Sequence, residues 1–109
     1  MHETAFMGGF YFMDIQVLKV SKDSNINAVA EAIIERTVKC SIVHVDCIGV
    51  KATYVTVKSI IQATEFLVKN GYKFSLRPYY IKVNTTEDEM QPVFKTAIRW
   101  TLIAKKEII

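Results

Sequence analysis

The sequence predicts an α+β two-layer sandwich: a four-stranded mixed sheet with two helices on one face, in the order β-α-β-α-β-β. Three observations lead there. Two apolar runs of strand length, 15–21 and 40–48, are each followed by a segment of helical character. The second of these segments is too long for an ordinary strand. The chain then closes with two strand-like segments on either side of a polar loop.

The elements are justified in chain order. "IQVLKVS", 15–21, is short, apolar and β-rich, and predicts a buried strand. In the polar turn that follows, Ser24 or Asn25 can cap a helix. Ile26, Val29, Ala30, Ile33 and Ile34 then recur at helical spacing, with Asn27, Glu31 and Glu35 on the other face, ending near residues 36–39. "CSIVHVDCI", 40–48, is a second apolar strand closed by Gly49. From Ala52 to Asn70 run nineteen residues without Gly or Pro, ending in the helix-stop pair Asn70-Gly71. This length and cap outweigh the β-branched content of "KATYVTVKSII" and predict a helix. Its expected core stripe is Val57, Ile60, Thr64 and Leu67, with Ile61 and Val68 beside it.

"YKFSLRPYYIKV" alternates at first, Phe74 and Leu76 against Lys73, Ser75 and Arg77. Pro78 cannot donate to a ladder, which points to an edge strand or a bulge. After the loop "NTTEDEMQP" comes the last strand, with Phe94, Ile98, Trp100 and Leu102 on one face and Lys95, Arg99 and Thr101 on the other. The first two strands, if neighbours, are parallel with a right-handed crossover, and the last two form a hairpin. Residues 14–109 are expected to be one domain. Residues 1–13 are expected to be an appendage, either a mobile arm or an added edge strand.

Composition narrows the function classes. Half the residues are hydrophobic, an excess that a buried self-interface would absorb. Fourteen basic against eleven acidic residues give a net charge of +3, compatible with an anionic partner but not diagnostic of one. The apolar stretch from Ala5 to Met13 is too short to span a membrane and lacks the leader of a secretory signal. Cys40 and Cys47 form no CxxC and differ in strand parity, which suits buried thiols in a reduced, intracellular protein. A cytoplasmic location is expected, with association to a nucleus or nucleoid compatible with it.

The local sequences, in this order, resemble the Alba superfamily of small nucleic-acid-binding proteins, which includes archaeal Alba chromatin proteins, eukaryotic RNA-binding relatives and bacterial stage V sporulation protein S. "VLKVSKDSNINAVAEAI" resembles the opening strand, loop and helix of the sporulation protein. "IGVKATYVTVK" resembles its glycine turn and second-helix start, at Ile48, Gly49, Ala52, Val57 and Lys58. "KTAIRWTLI" resembles its final strand, and "TEFLVKNGY" is similar to the end of the second helix in eukaryotic members. The resemblance covers about residues 15–105.

The resemblance implies a homodimer that holds nucleic acid at the starts of its two helices. Lys22 matches one of a lysine pair in the archaeal loop, and Asp23 replaces the other. Asn27 matches an asparagine at the start of the following helix, and Lys51 matches a basic residue after the glycine turn. Tyr54 and Val55 stand where the sporulation protein has an asparagine and a glutamine. The hairpin that is basic in archaeal members here carries Glu87, Asp88 and Glu89, which phosphates would repel. RNA is therefore expected over duplex DNA.

The candidate nucleic-acid-binding residues are Lys22, Ser24, Asn27, Lys51, Tyr54, Arg77, Lys95 and Arg99. Lys22 and Lys51 gain from the partial positive charge of helix N-termini. Arg77, Tyr79, Lys95 and Arg99 could instead form a basic and aromatic patch on the open sheet face, of the kind that stacks on single strands. Against these stand blander alternatives: two solvated lysines, and Tyr79 and Tyr80 packed in a dimer interface. His44 and Asp46, at i and i+2, have no nucleophile or orienting shell, so a cross-strand or surface hydrogen bond is expected there rather than catalysis. No enzymatic activity, cofactor, metal or small-molecule substrate is expected. The alternative function is a regulatory or scaffold protein that keeps the fold and binds a protein partner.

Overall fold

The aromatic run Phe10, Tyr11, Phe12 has strand chemistry of its own, and it carries the first long strand back well before Ile15. In the computed structural model, β1 (His2–Met7) and β2 (Phe10–Val20) form an antiparallel pair at the start of the chain. α1 (Ile26–Val38), β3 (Ile42–Cys47), α2 (Val50–Lys69), β4 (Tyr72–Asn84) and β5 (Phe94–Lys106) follow. The structure describes residues 2–7, 10–39, 42–86 and 90–107, with side chains from residue 14 onward. Cys40 and the acidic run 87–89 lie outside the described residues.

The strand order is β1-β2-β3-β5-β4. β2 and β3 are parallel, and the other pairs are antiparallel. The four expected strands thus form the mixed sheet β2-β3-β5-β4, and β1 extends it beyond β2. β4 is an edge strand, which accommodates Pro78.

One sheet face meets the helices. Val43, Val45 and Leu102 are fully buried there against Ile33 of α1 and Ala63 and Leu67 of α2. The expected alternation of β5 holds along an unbroken register, but burial does not follow it to the end: Leu102 is fully buried and Phe94 is 58% exposed. The reason is length. β3 pairs with β5 only from Ile98 to Leu102, so the far end of the β4–β5 hairpin projects as a two-stranded arm.

α2 buries Ile60 and Leu67 of the expected stripe, with Val57 and Thr64 half-buried, and departs from expectation beside them. Its buried residues are Ala52, Val55, Thr56, Ser59, Ile60, Ala63 and Leu67, many of them small. Ile61 and Val68, expected beside the core stripe, are 51% and 60% exposed. Close approach of the helices explains why small residues, and not Ile61 and Val68, flank that stripe. The Ser59 hydroxyl reaches both Val55 O (2.7 Å) and Ile26 O of α1 (3.3 Å), a contact that a bulkier side chain would block. Thr56 Oγ1 likewise donates to Ala52 O at 2.8 Å, so these buried hydroxyls are satisfied.

Candidate nucleic-acid interface

Two loops at the carboxyl ends of β2 and β3 lead into the helices. The first is tied by a serine pair: Ser24 Oγ accepts from Ser21 N at 2.9 Å and lies 3.2 Å from Ser21 Oγ. Ser21 Oγ in turn accepts from Asp23 N at 3.3 Å. Lys22 is exposed in this loop. Asn25 caps α1 by accepting from Ala28 N at 3.0 Å, and Asn27 is exposed in the first turn.

The second loop is shorter. Gly49 takes φ 89° and ψ 164° at the N-cap of α2, with no side-chain cap. Its carbonyl accepts from Thr53 N (3.0 Å) and Thr53 Oγ1 (2.7 Å). The first turn holds no acidic residue. The partial positive charge of a long helix is therefore offset only by what approaches it from outside.

Both loops open onto one cleft of about 1250 Å³. Lys22 and Lys51 line it together, along with Lys19 of β2, Lys82 of β4 and Gly49 itself. Its floor is the sheet face turned away from the helices. There Lys19, Asp46, Arg99 and Tyr79 stand in one row across four strands. Arg99 donates from Nε and Nη2 to the two Asp46 oxygens at 2.8 and 2.9 Å, a bidentate pair. That hydrogen bond, against the opposing effect of burial, holds the Arg99 guanidinium above its ordinary pKa. In the next row His44 Nδ1 lies 2.9 Å from Thr101 Oγ1, which also meets Tyr79 OH at 2.8 Å. His44 and Asp46 are thus engaged in cross-strand hydrogen bonds.

A model of the stage V sporulation protein S family matches residues 16–105. The chain belongs to the stage V sporulation protein S family. Among solved structures, Alba from Thermoplasma volcanium is similar at a TM-score of 0.52, covering 81% of this chain and 99% of that one. At 12% identity that likeness shows the fold alone. This family member is thus Alba-like in fold. No curated protein matches it.

This stage V sporulation protein S family member brings some of the candidate residues together and disperses others. Lys22, Lys51 and Arg99 share the cleft, but Arg99 already serves Asp46. Arg77 lies over the Tyr79 ring, 5.1 Å from its centroid, and Tyr79 neighbours Arg99, so these three form one patch. Lys95 sits further along the arm, opposite Val83. Ser24 is occupied in holding its loop. Tyr54 is 60% exposed on α2 and does not line the cleft; its hydroxyl accepts from Lys58 Nζ at 3.1 Å.

Two cleft cations escaped the sequence reasoning, Lys19 and Lys82. Lys19 was absorbed into a strand judged apolar throughout. Strict alternation would have set Ile15, Val17 and Lys19 on one face and Gln16, Leu18 and Val20 on the other. Among the described residues no cluster of His, Cys, Asp and Glu could hold a metal, and no helix is long and apolar enough to cross a membrane.

Proposed function

We propose that the protein is a homodimeric nucleic-acid-binding protein that prefers RNA to duplex DNA and holds phosphates through Lys22 and Lys51. One observation carries the proposal: lysines from two separate strand–helix loops converge on a single cleft, at the uncapped start of α2. Lysines, helix N–H groups and the absence of acid in the first turn all favour an anion there. The bidentate engagement of Arg99 leaves the burden on the lysines.

Dimerisation is supported by the outward face of α2. Tyr54, Ile61 and Val68 repeat every seven residues along it and are all exposed. On the same side of the sheet, Tyr80 of β4 is 76% exposed. Exposed apolar side chains repeated along one helix face suit a partner surface, and two copies would present two clefts at fixed spacing. The same face favours a second reading, in which it docks a different protein and the domain acts as a regulator or scaffold.

The test titrates labelled single-stranded RNA and duplex DNA at low and moderate salt, with wild type and the Lys22→Glu/Lys51→Glu variant. The proposal expects RNA to bind more tightly. It also expects the variant to flatten the salt dependence for RNA by about 1.4 in log–log slope, the share of two phosphates on a single strand. Tight binding indifferent to both salt and the substitutions would refute the phosphate site. No binding even at low salt would favour the scaffold reading.

A further inference from the structure

Phosphate binding alone needs only the lysine rim, yet the cleft extends well beyond it. Past the Asp46–Arg99 pair Ile81 and Val83 from β4 and Ala97 from β5 line it on the open face of the hairpin arm, with Asn84 beyond them and Lys82 between, whose Nζ donates to Thr96 Oγ1 at 2.7 Å. Ala97 is buried, whereas Ile81 and Val83 remain half-exposed to the cleft. A cationic rim at one end, an aliphatic shelf at the other and a hydrogen-bonding pair between them match the parts of a nucleotide. Phosphate, base face and base edge would each meet the group they suit.

We infer that the cleft takes one unstacked nucleotide. Its phosphate lies against Lys22, Lys51 and the start of α2, its base lies on Ile81 and Val83, and its polar edge is turned to Asp46 and Arg99. This rests on the phosphate site proposed above and says what that site selects. A duplex keeps its bases stacked and paired, so it reaches the lysines but not the shelf. A single strand can turn one base out at little cost. Arg99 has donors beyond the two given to Asp46, and the Asp46 carboxylate offers acceptor positions, so the pair meets a base edge with both polarities.

A free nucleotide and a nucleotide within a strand share this chemistry, and the experiment separates them. A labelled single-stranded oligonucleotide bound to the full chain is challenged with a nucleoside 5′-monophosphate, with ribose 5-phosphate and with polyglutamate. The mononucleotide is expected to displace it at a concentration about tenfold or more below ribose 5-phosphate, with polyglutamate weaker still. If the oligonucleotide outcompetes the mononucleotide by a wide margin, the strand is the natural source; near-parity points to the free nucleotide.

Two uncharged variants, Ile81→Ser and the milder Val83→Thr, should erase the advantage of the mononucleotide over ribose 5-phosphate while leaving ribose 5-phosphate unchanged. Methyl NMR gives a direct readout. The Ile81 and Val83 methyls should move upfield under the ring current of the added mononucleotide and stay still with ribose 5-phosphate. Equal competition by the two compounds, unmoved methyls, or variants that compete as wild type does would each overturn the inference while leaving the phosphate site standing. Competition by polyglutamate equal to that of the oligonucleotide would also overturn it. Failure of the oligonucleotide to bind at low salt would instead remove the proposed function, and this inference with it.

Discussion

Gly49→Ala separates backbone strain from steric crowding at the mouth of α2. A methyl group built on Gly49 meets nothing within 4 Å, so there is no clash to count. The backbone is another matter: φ 89° with ψ 164° lies in a region that only glycine occupies readily. Forcing an L-residue into it costs about 1–3 kcal/mol. The substitution also stiffens the unfolded chain, which offsets about 0.4–1 kcal/mol. Taking the middle of each range, the net loss is about 1.3 kcal/mol, or roughly 5–10 °C in Tm for a domain of this size. The assay is thermal and urea denaturation, followed by far-ultraviolet circular dichroism and by the fluorescence of the single tryptophan, Trp100. Because the cost is dihedral, Gly49→Ser and Gly49→Asn should lose about as much as Gly49→Ala. A neutral Gly49→Ala, or a loss that climbs steeply with side-chain size, would refute the reasoning.

Asp46→Asn breaks a pair whose side chains are only 10% and 25% exposed, so it should cost about 1–2 kcal/mol in urea melts after allowing for solvent screening. It also frees Arg99, so the salt dependence of single-strand binding should steepen by about 0.7 in log–log slope; an unchanged slope would show that Arg99 never reaches the phosphates. Ser59→Leu inserts bulk between helices that touch through a serine hydroxyl, and should lower stability by about 1–3 kcal/mol in the same melts. Ile61→Glu on the outward face of α2 should leave the stability of the isolated protomer within about 0.5 kcal/mol. In light scattering it should turn a dimer into a monomer.

The element order was legible because each segment announces its period. β4 and β5 alternate with a polar loop between them, and α2 combines nineteen uninterrupted residues with the Asn70-Gly71 stop. At that stop Asn70 Nδ2 donates to Phe66 O at 2.8 Å and Gly71 takes φ 80°. The inward face of α2 was legible at Ile60 and Leu67 but not in the small residues beside them. Helical period identifies stripes, but Val57, Ile61, Thr64 and Val68 make as good a stripe as the small residues that in fact pack. Only the distance between two helices, a property of the assembled layer, decides which one turns in. For residues 1–13 the sequence left a mobile arm and an added edge strand open, and β1 is the second of these; a glycine pair between two β-prone runs is a hairpin signal that favours it. At the site, Lys22 and Lys51 stood out by their positions at helix starts, Lys19 shows only through strict alternation of its strand, and Lys82 only through the assembled cleft that four strands line.

Pro78, set in the outermost strand, bears on how copies of the chain can meet. An edge strand ordinarily offers its unpaired amides to any passing backbone, and such additions repeat without limit because each newcomer exposes a fresh edge. At Pro78 that row of donors is interrupted, and Arg77 places a charge beside the gap. Backbone-to-backbone growth is thereby discouraged along β4, and association is steered toward side-chain surfaces such as α2. A contact of that kind, made between identical faces about a twofold axis, consumes itself on forming. One proline thus biases the molecule toward a counted assembly over an open-ended one.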